Sequence, residues 1–144
     1  MDVNCLRVTN KELFYTAMML HLDQLVNVDY VFPADEVKLA RELDEAKQSL
    51  QKKKLLKESA KGGITLDFAL TTCAAFCSKP DDCMVVESDD YYATVYNAVG
   101  AYMLLEQEAE GQLAAVWFKD KETLDGYLAS HVKLKKETKN DGGV

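Results

Sequence analysis

The hydrophobic period of this chain changes once, and that change constrains the fold more than any other feature. Up to Ser78 the apolar residues recur every three or four positions, and beyond Lys79-Pro80-Asp81-Asp82 they alternate. A helix shows one face every 3.6 residues and a strand every second residue. The first half is therefore expected to be helical and the second a pleated sheet, which together make an α+β fold. A chain of 144 residues suits one such domain, large enough to hold a core without disulfide or metal. That domain is expected over 1–134, with a flexible polar tail over 135–144 that ends in Gly-Gly-Val.

The helical half opens on Thr9-Asn10-Lys11-Glu12, a capping box in which the Thr9 hydroxyl accepts from the third helical amide and Glu12 reaches back. Leu13, Phe14, Ala17, Met18, His21 and Leu22 follow at helical spacing. Tyr15, Met19 and Leu20 make the opposite side apolar too, so this helix belongs inside the fold. The period is lost from Asp23 to Phe32. Pro33 suits the first position of a long amphipathic helix reaching to about Leu56, striped by Leu39, Leu43, Ala46 and Leu50. Lys52-Lys53-Lys54 reads as its solvated end, where cations meet the negative pole of the helix. Lys61-Gly62-Gly63 reads as a flexible turn. Thr65 or Asp67 then caps a third helix running to about Ser78.

Strands are expected at about Cys83 to Glu87, Tyr91 to Asn97, Ala101 to Glu108 and Gln112 to Lys119, all rich in Val, Tyr, Phe and Trp. Ser88-Asp89-Asp90, Val99-Gly100 and Glu110-Gly111 are short turns, so the unit should be a four-stranded antiparallel meander. Asp120 caps a C-terminal helix from Lys121 to about Lys133, with Leu124, Tyr127, Leu128 and His131 on one side. In the third strand Ala101, Met103 and Leu105 should face one way and Tyr102, Leu104 and Glu106 the other, and in the fourth Leu113, Ala115 and Trp117 should oppose Ala114, Val116 and Phe118. Both faces are then apolar. Helices of the chain, a second copy or a partner would each supply cover, and the residues do not choose among them. Tyr92, Tyr96, Tyr102, Leu104 and Trp117 are the candidate partner-binding residues, since Tyr and Trp are enriched at interfaces.

The charge-bearing residues exclude several classes. With 17 Lys+Arg against 24 Asp+Glu the chain carries -7, the wrong sign for displacing counterions from nucleic-acid phosphates. The first residues lack a basic region followed by an apolar run, and the longest apolar stretch, Leu66 to Cys77, is interrupted by Asp67, Thr71 and Thr72. A cytoplasmic protein without membrane contact is expected. Cys5, Cys73, Cys77 and Cys83 would there be thiols. Cys73 and Cys77 lie one turn apart on an apolar helix face and lack the second ligand pair that zinc takes, so both read as core. His21 and His131 have no nucleophile or orienting partner at motif spacing, and read as buried or helix-end residues. Asp81-Asp82 and Asp89-Asp90 lack the central Gly and closing Glu of a calcium loop and read as turn residues. No catalytic set, metal or cofactor is expected, and the protein should not be an enzyme.

The order of these parts carries a resemblance. The T-N-K-E-L-F start followed by A-M-M-L-H-L, Phe32-Pro33 entering an acidic helix, the Lys-Lys-Lys-Leu-Leu helix end and a Tyr-rich meander closed by a helix resemble the EspG-like proteins of Gram-positive type VII secretion loci. That resemblance implies a cytosolic chaperone or adaptor that binds helical-hairpin secretion substrates. The residues alone point to a protein-binding module that holds a helix on the sheet face or a strand at its edge, or forms a homodimer. Two alternatives stand beside it. A winged-helix-like regulator would use Leu55-Leu56, Gly62-Gly63 and Ile64 to Leu66 as core and wing, although Leu66 to Ser78 has no Lys or Arg. A small-molecule-binding or enzymatic domain would use a pocket between the sheet and the first helix, with Cys73 or His21.

Overall fold

The structure, a computed structural model, describes residues 5–109 and 111–130. Among them are four helices, a five-stranded sheet and a two-stranded sheet, so the chain is α+β. The chain forms two compact units. One is Val8–Lys79, and the other combines the residues through Arg7 with those from Pro80 on.

The chain enters through β1 (Leu6–Thr9), a strand the periodicity did not announce. Thr9 then caps α1 (Asn10–Met19) with the expected box: Thr9 Oγ1 accepts the Glu12 amide at 3.1 Å, and Glu12 Oε1 accepts the Thr9 amide at 2.9 Å. α1 stops earlier than Leu22. His21 takes φ 60, its amide donates to Met18 O at 3.1 Å, and the Leu22 amide donates to Ala17 O at 2.8 Å. This pair of bonds is a Schellman ending with a non-glycine residue in the left-handed position. His21 is therefore an exposed turn residue, not part of an apolar stripe.

α2 runs Glu36–Lys52, shorter at both ends than expected, because Asp35 and not Pro33 organises its start by accepting the Lys38 amide at 2.9 Å. It closes like α1: Lys54 has φ 66, and the Leu55 amide donates to Leu50 O at 2.8 Å. Lys52, Lys53 and Lys54 are exposed, as a solvated basic end would be, but Lys53 also makes a buried contact. Its Nζ lies 2.6 Å from Oε1 of Glu12, whose side chain is 1% exposed, and Ser49 Oγ donates to the other carboxylate oxygen. Unpairing a buried carboxylate held this way costs about 3 kcal/mol. Glu12 thereby serves twice, as a cap and as the polar tie between α1 and α2.

Beyond α2, Leu56–Glu58 (β2) and Ile64–Leu66 (β3) form a small antiparallel hairpin where only a Gly-Gly turn was expected. Asp67 caps α3 (Phe68–Ser78) by accepting the Ala69 amide at 2.9 Å, and Thr65 lies in β3. The aperiodic stretch after α1 is tied down by backbone bonds. The Val26 amide donates to Cys77 O at 2.7 Å, and Asn10 Nδ2 donates to Asp29 O at 2.8 Å.

In the second unit β4 (Asp82–Ser88), β5 (Tyr91–Ala98), β6 (Ala101–Ala109) and β7 (Gln112–Phe118) form the expected antiparallel meander. β1 adds a fifth strand beside β7, giving the order β1-β7-β6-β5-β4. The β5–β6 turn places Val99 at φ 46 and Gly100 at φ 79, the mirror-image turn that matches strand twist. A helix, α4, occupies 121–130, and Asp120 caps it by accepting the Thr123 amide at 2.8 Å. The expected continuation to Lys133, His131, Glu110 of the β6–β7 turn and the tail over 135–144 lie outside the described residues.

Candidate functional site

Strand register decides what the sheet can present. Cys83, Tyr96, Met103 and Trp117 stand opposite one another in a row across β4, β5, β6 and β7. Opposed residues share a face, so Tyr92, Tyr96 and Trp117 lie on one side of the sheet. Tyr102 and Leu104 lie on the other. The five candidate partner-binding residues are thus split between two faces.

Burial separates them further. Tyr96 and Leu104 are 0% exposed, while Tyr92, Tyr102 and Trp117 are half-buried. A side chain with no accessible surface has nothing to offer a partner, so Tyr96 and Leu104 are core residues. Leu104 packs with Tyr91, Ala93, Val95, Phe118 and Leu124 of α4, and Tyr102, Val116, Tyr127 and Leu128 close around them. α4 supplies the cover for this face through Leu124, Tyr127 and Leu128, as their spacing predicts. Met103, on the other face, is also 0% exposed.

The cover is pinned by a polar contact that periodicity does not reveal. Glu106 on β6 accepts from Tyr91 Oη at 2.7 Å and from Tyr127 Oη of α4 at 3.2 Å. Burial, reinforced by the carboxylate of Glu106, drives the Tyr91 hydroxyl far above its usual range. A tyrosine held protonated in this way donates a hydrogen bond and does not act as a base. The cluster is a latch between sheet and helix. Its only sequence trace was a Glu at an inward position of a strand.

The other chemistry-bearing residues have structural employment. Cys73 and Cys77 are both 0% exposed, and the Cys73 thiol is pushed well up by its bond with Cys77 and by burial, the opposite of what a nucleophile needs. Asp81 Oδ2 accepts the Val99 amide at 3.2 Å, and Asp82 Oδ1 accepts the Cys83 amide at 2.9 Å. Among the described residues no group of three or more His, Cys, Asp or Glu is placed to hold a metal ion. No helix among them is long and apolar enough to cross a membrane. The strands that the winged-helix alternative invoked do pair, but α3, which follows them, carries no Lys or Arg.

What remains exposed is the outer edge of the sheet. β4 pairs with β5 on one side and has no neighbouring strand on the other among the described residues. Met84 is 52% and Val85 45% exposed, one on each face, in a seven-residue strand whose charged side chains are Asp82 and Glu87 near its ends. An edge strand presents unpaired backbone donors and acceptors, and apolar side chains there give an added strand something to pack on. Sequence reasoning missed this position because it ranked aromatic content and had no means of finding the edge. No protein-family model matches the chain, and no curated protein matches it.

Proposed function

We propose that this protein is a non-enzymatic binding module that engages another polypeptide along β4. The observation that carries the proposal is the pairing of an open strand edge with exposed Met84 and Val85. The buried state of Tyr96 and Leu104 favours the rim over the sheet face, where the aromatic residues suggested it, as the binding surface. A partner strand laid there would gain main-chain hydrogen bonds for affinity and the two apolar side chains for selectivity. The layout-level likeness to EspG-like type VII secretion chaperones supports the same class of activity and proposes a cytoplasmic adaptor for helical-hairpin secreted proteins.

The test is comparative purification from the native cell. The tagged protein and a Met84→Lys/Val85→Lys variant are isolated in parallel, and copurifying proteins are quantified by mass spectrometry. The proposal expects at least one partner of the unaltered protein to be lost from the variant by about tenfold, the effect of about 1.4 kcal/mol in binding. Recovery of the same proteins in the same amounts with both forms would overturn edge binding. Recovery of small helical secreted proteins would carry the secretion reading.

A further inference from the structure

Resting on that edge-binding reading, we propose that the strand received by β4 is a basic one: an extended segment of another protein with an apolar middle and a Lys or Arg at each end. Charge argues for this occupant. From Pro80 to Phe118 the chain has no Lys or Arg and eight Asp or Glu, and the nearest cations in sequence are Lys79 and Lys119. Five of the eight carboxylates belong to β4 or to the residues beside it, Asp81 and Asp82 at one end and Glu87, Asp89 and Asp90 at the other. The exposed Met84 and Val85 stand between them. An edge framed in this way favours a strand of opposite charge, because unlike charges opposed across strands are favourable and like charges are not. The same count disfavours a second copy of β4. In the two-fold register that pairs all seven residues, centred on Val85, Asp81 meets Asp89 at both ends.

One end of the edge is also concave. A cleft of about 430 Å³ beside the β4–β5 turn is lined in part by Glu87, Ser88, Asp89, Asp90, Tyr92 and Glu108, and by no Lys or Arg. Arg7 binds Glu108 through two bonds of 3.1 Å, and the cleft stays net negative with that cation included. The buried Oγ of Ser88 has no hydrogen-bond partner among the described residues. An ammonium or guanidinium entering the cleft therefore finds an acceptor beside the carboxylates. Strand geometry sets the spacing of the two cations. Asp82 and Glu87 are five positions apart, and side chains alternate along a strand, so the two stand on opposite faces. A segment that meets both has its cations five positions apart, and the four residues between them face Cys83, Met84, Val85 and Val86.

The test is a magnetic-resonance titration of the isotope-labelled full chain with two synthetic peptides, one built on Lys-Thr-Val-Ile-Thr-Lys and the other on Glu-Thr-Val-Ile-Thr-Glu. The Lys peptide should shift the amides of β4 and the β4–β5 turn before those of β1, and should bind about tenfold more tightly than the Glu peptide. That advantage should vanish at about 1 M salt, where charges are screened beyond about 3 Å. Asp82→Lys/Glu87→Lys, at two exposed positions, should reverse the preference with circular dichroism unchanged, and the milder Asp82→Asn/Glu87→Gln should abolish it. Equal binding of the two peptides, binding of neither, shifts confined to other strands, or a preference that both variants retain would overturn the proposal. If the proposal falls while Met84→Lys/Val85→Lys still removes a copurifying protein, the edge-binding module stands without the charge selection. If that variant removes none, both readings fall.

Discussion

The two edges of the five-stranded sheet meet the same hazard differently. β1 is four residues long, its Leu6 and Val8 are 6% and 1% exposed, and Arg7 is gripped by Glu108 through two bonds of 3.1 Å. β4 is seven residues long and leaves Met84 and Val85 in solvent. A short strand with buried apolar residues and a fixed charge is a closed edge, whereas a longer strand with exposed apolar residues invites addition. The difference teaches that one rim of this sheet is left open and apolar, and that composition alone could not say which.

The comparison breaks most readily at its apolar residues. Leu6→Ala on β1 should cost about 2–4 kcal/mol by removing a buried side chain, whereas Val85→Ala on β4 should stay within about 0.5 kcal/mol. Urea midpoints at low protein concentration measure both, and equal losses would mean that the two edges do not differ as described.

A smaller effect comes from pH. The Tyr91 and Tyr30 hydroxyls are raised above 10.0, Tyr30 up to about 12, by burial and by the carboxylates of Glu106 and Glu42. The folded state then holds these protons more tightly than the unfolded state does. Stability is intact below pH 10 and falls as the pH rises from 10 toward 12 and beyond. Tyr91 lies opposite Ser88 at the end of β4, whereas β1 contains no tyrosine. Amide exchange above pH 10 should therefore quicken in β4 and β5 before β1, and Tyr91→Phe should flatten that response.

Two further substitutions sharpen the picture. Val99, β-branched at φ 46 and 90% exposed, should give way to Asn with a gain of about 1 kcal/mol, since Asn tolerates the left-handed region. This hairpin joins interior strands, so the gain, read as a higher thermal midpoint, should leave the β4 edge unchanged. Arg7→Ala should cost about 0.5 kcal/mol, because both ends of its ion pair are well exposed. A loss several times larger, read from the same urea midpoints, would give that pair a greater part in closing the β1 edge.

Local signals were legible where one residue type does one job. Thr9, Asp67 and Asp120 cap their helices as their hydrogen-bonding side chains predict, and the meander follows from alternation and turn residues. Illegible were features whose partners are remote. β1 is four residues without a diagnostic period, and Arg7 finds Glu108 across 101 positions. The partner of Lys53 was illegible because nothing in the α2 sequence announces Glu12 beneath it. The five candidate residues lie on β5, β6 and β7, but register sets them on opposite faces and Tyr96 and Leu104 are buried.

By itself, the amino-acid order determined that the three long helices precede the meander, that α1 and α4 begin at Thr9 and Asp120, and that both sheet faces are apolar. These properties are set within a few neighbouring residues by backbone hydrogen bonding and side-chain period. Only the tertiary structure decided which strands stand at the rims, which face each aromatic residue occupies, and that β4 keeps an apolar edge in solvent. Those outcomes depend on pairings between distant segments, and a strand carries no mark of whether its second side will be filled.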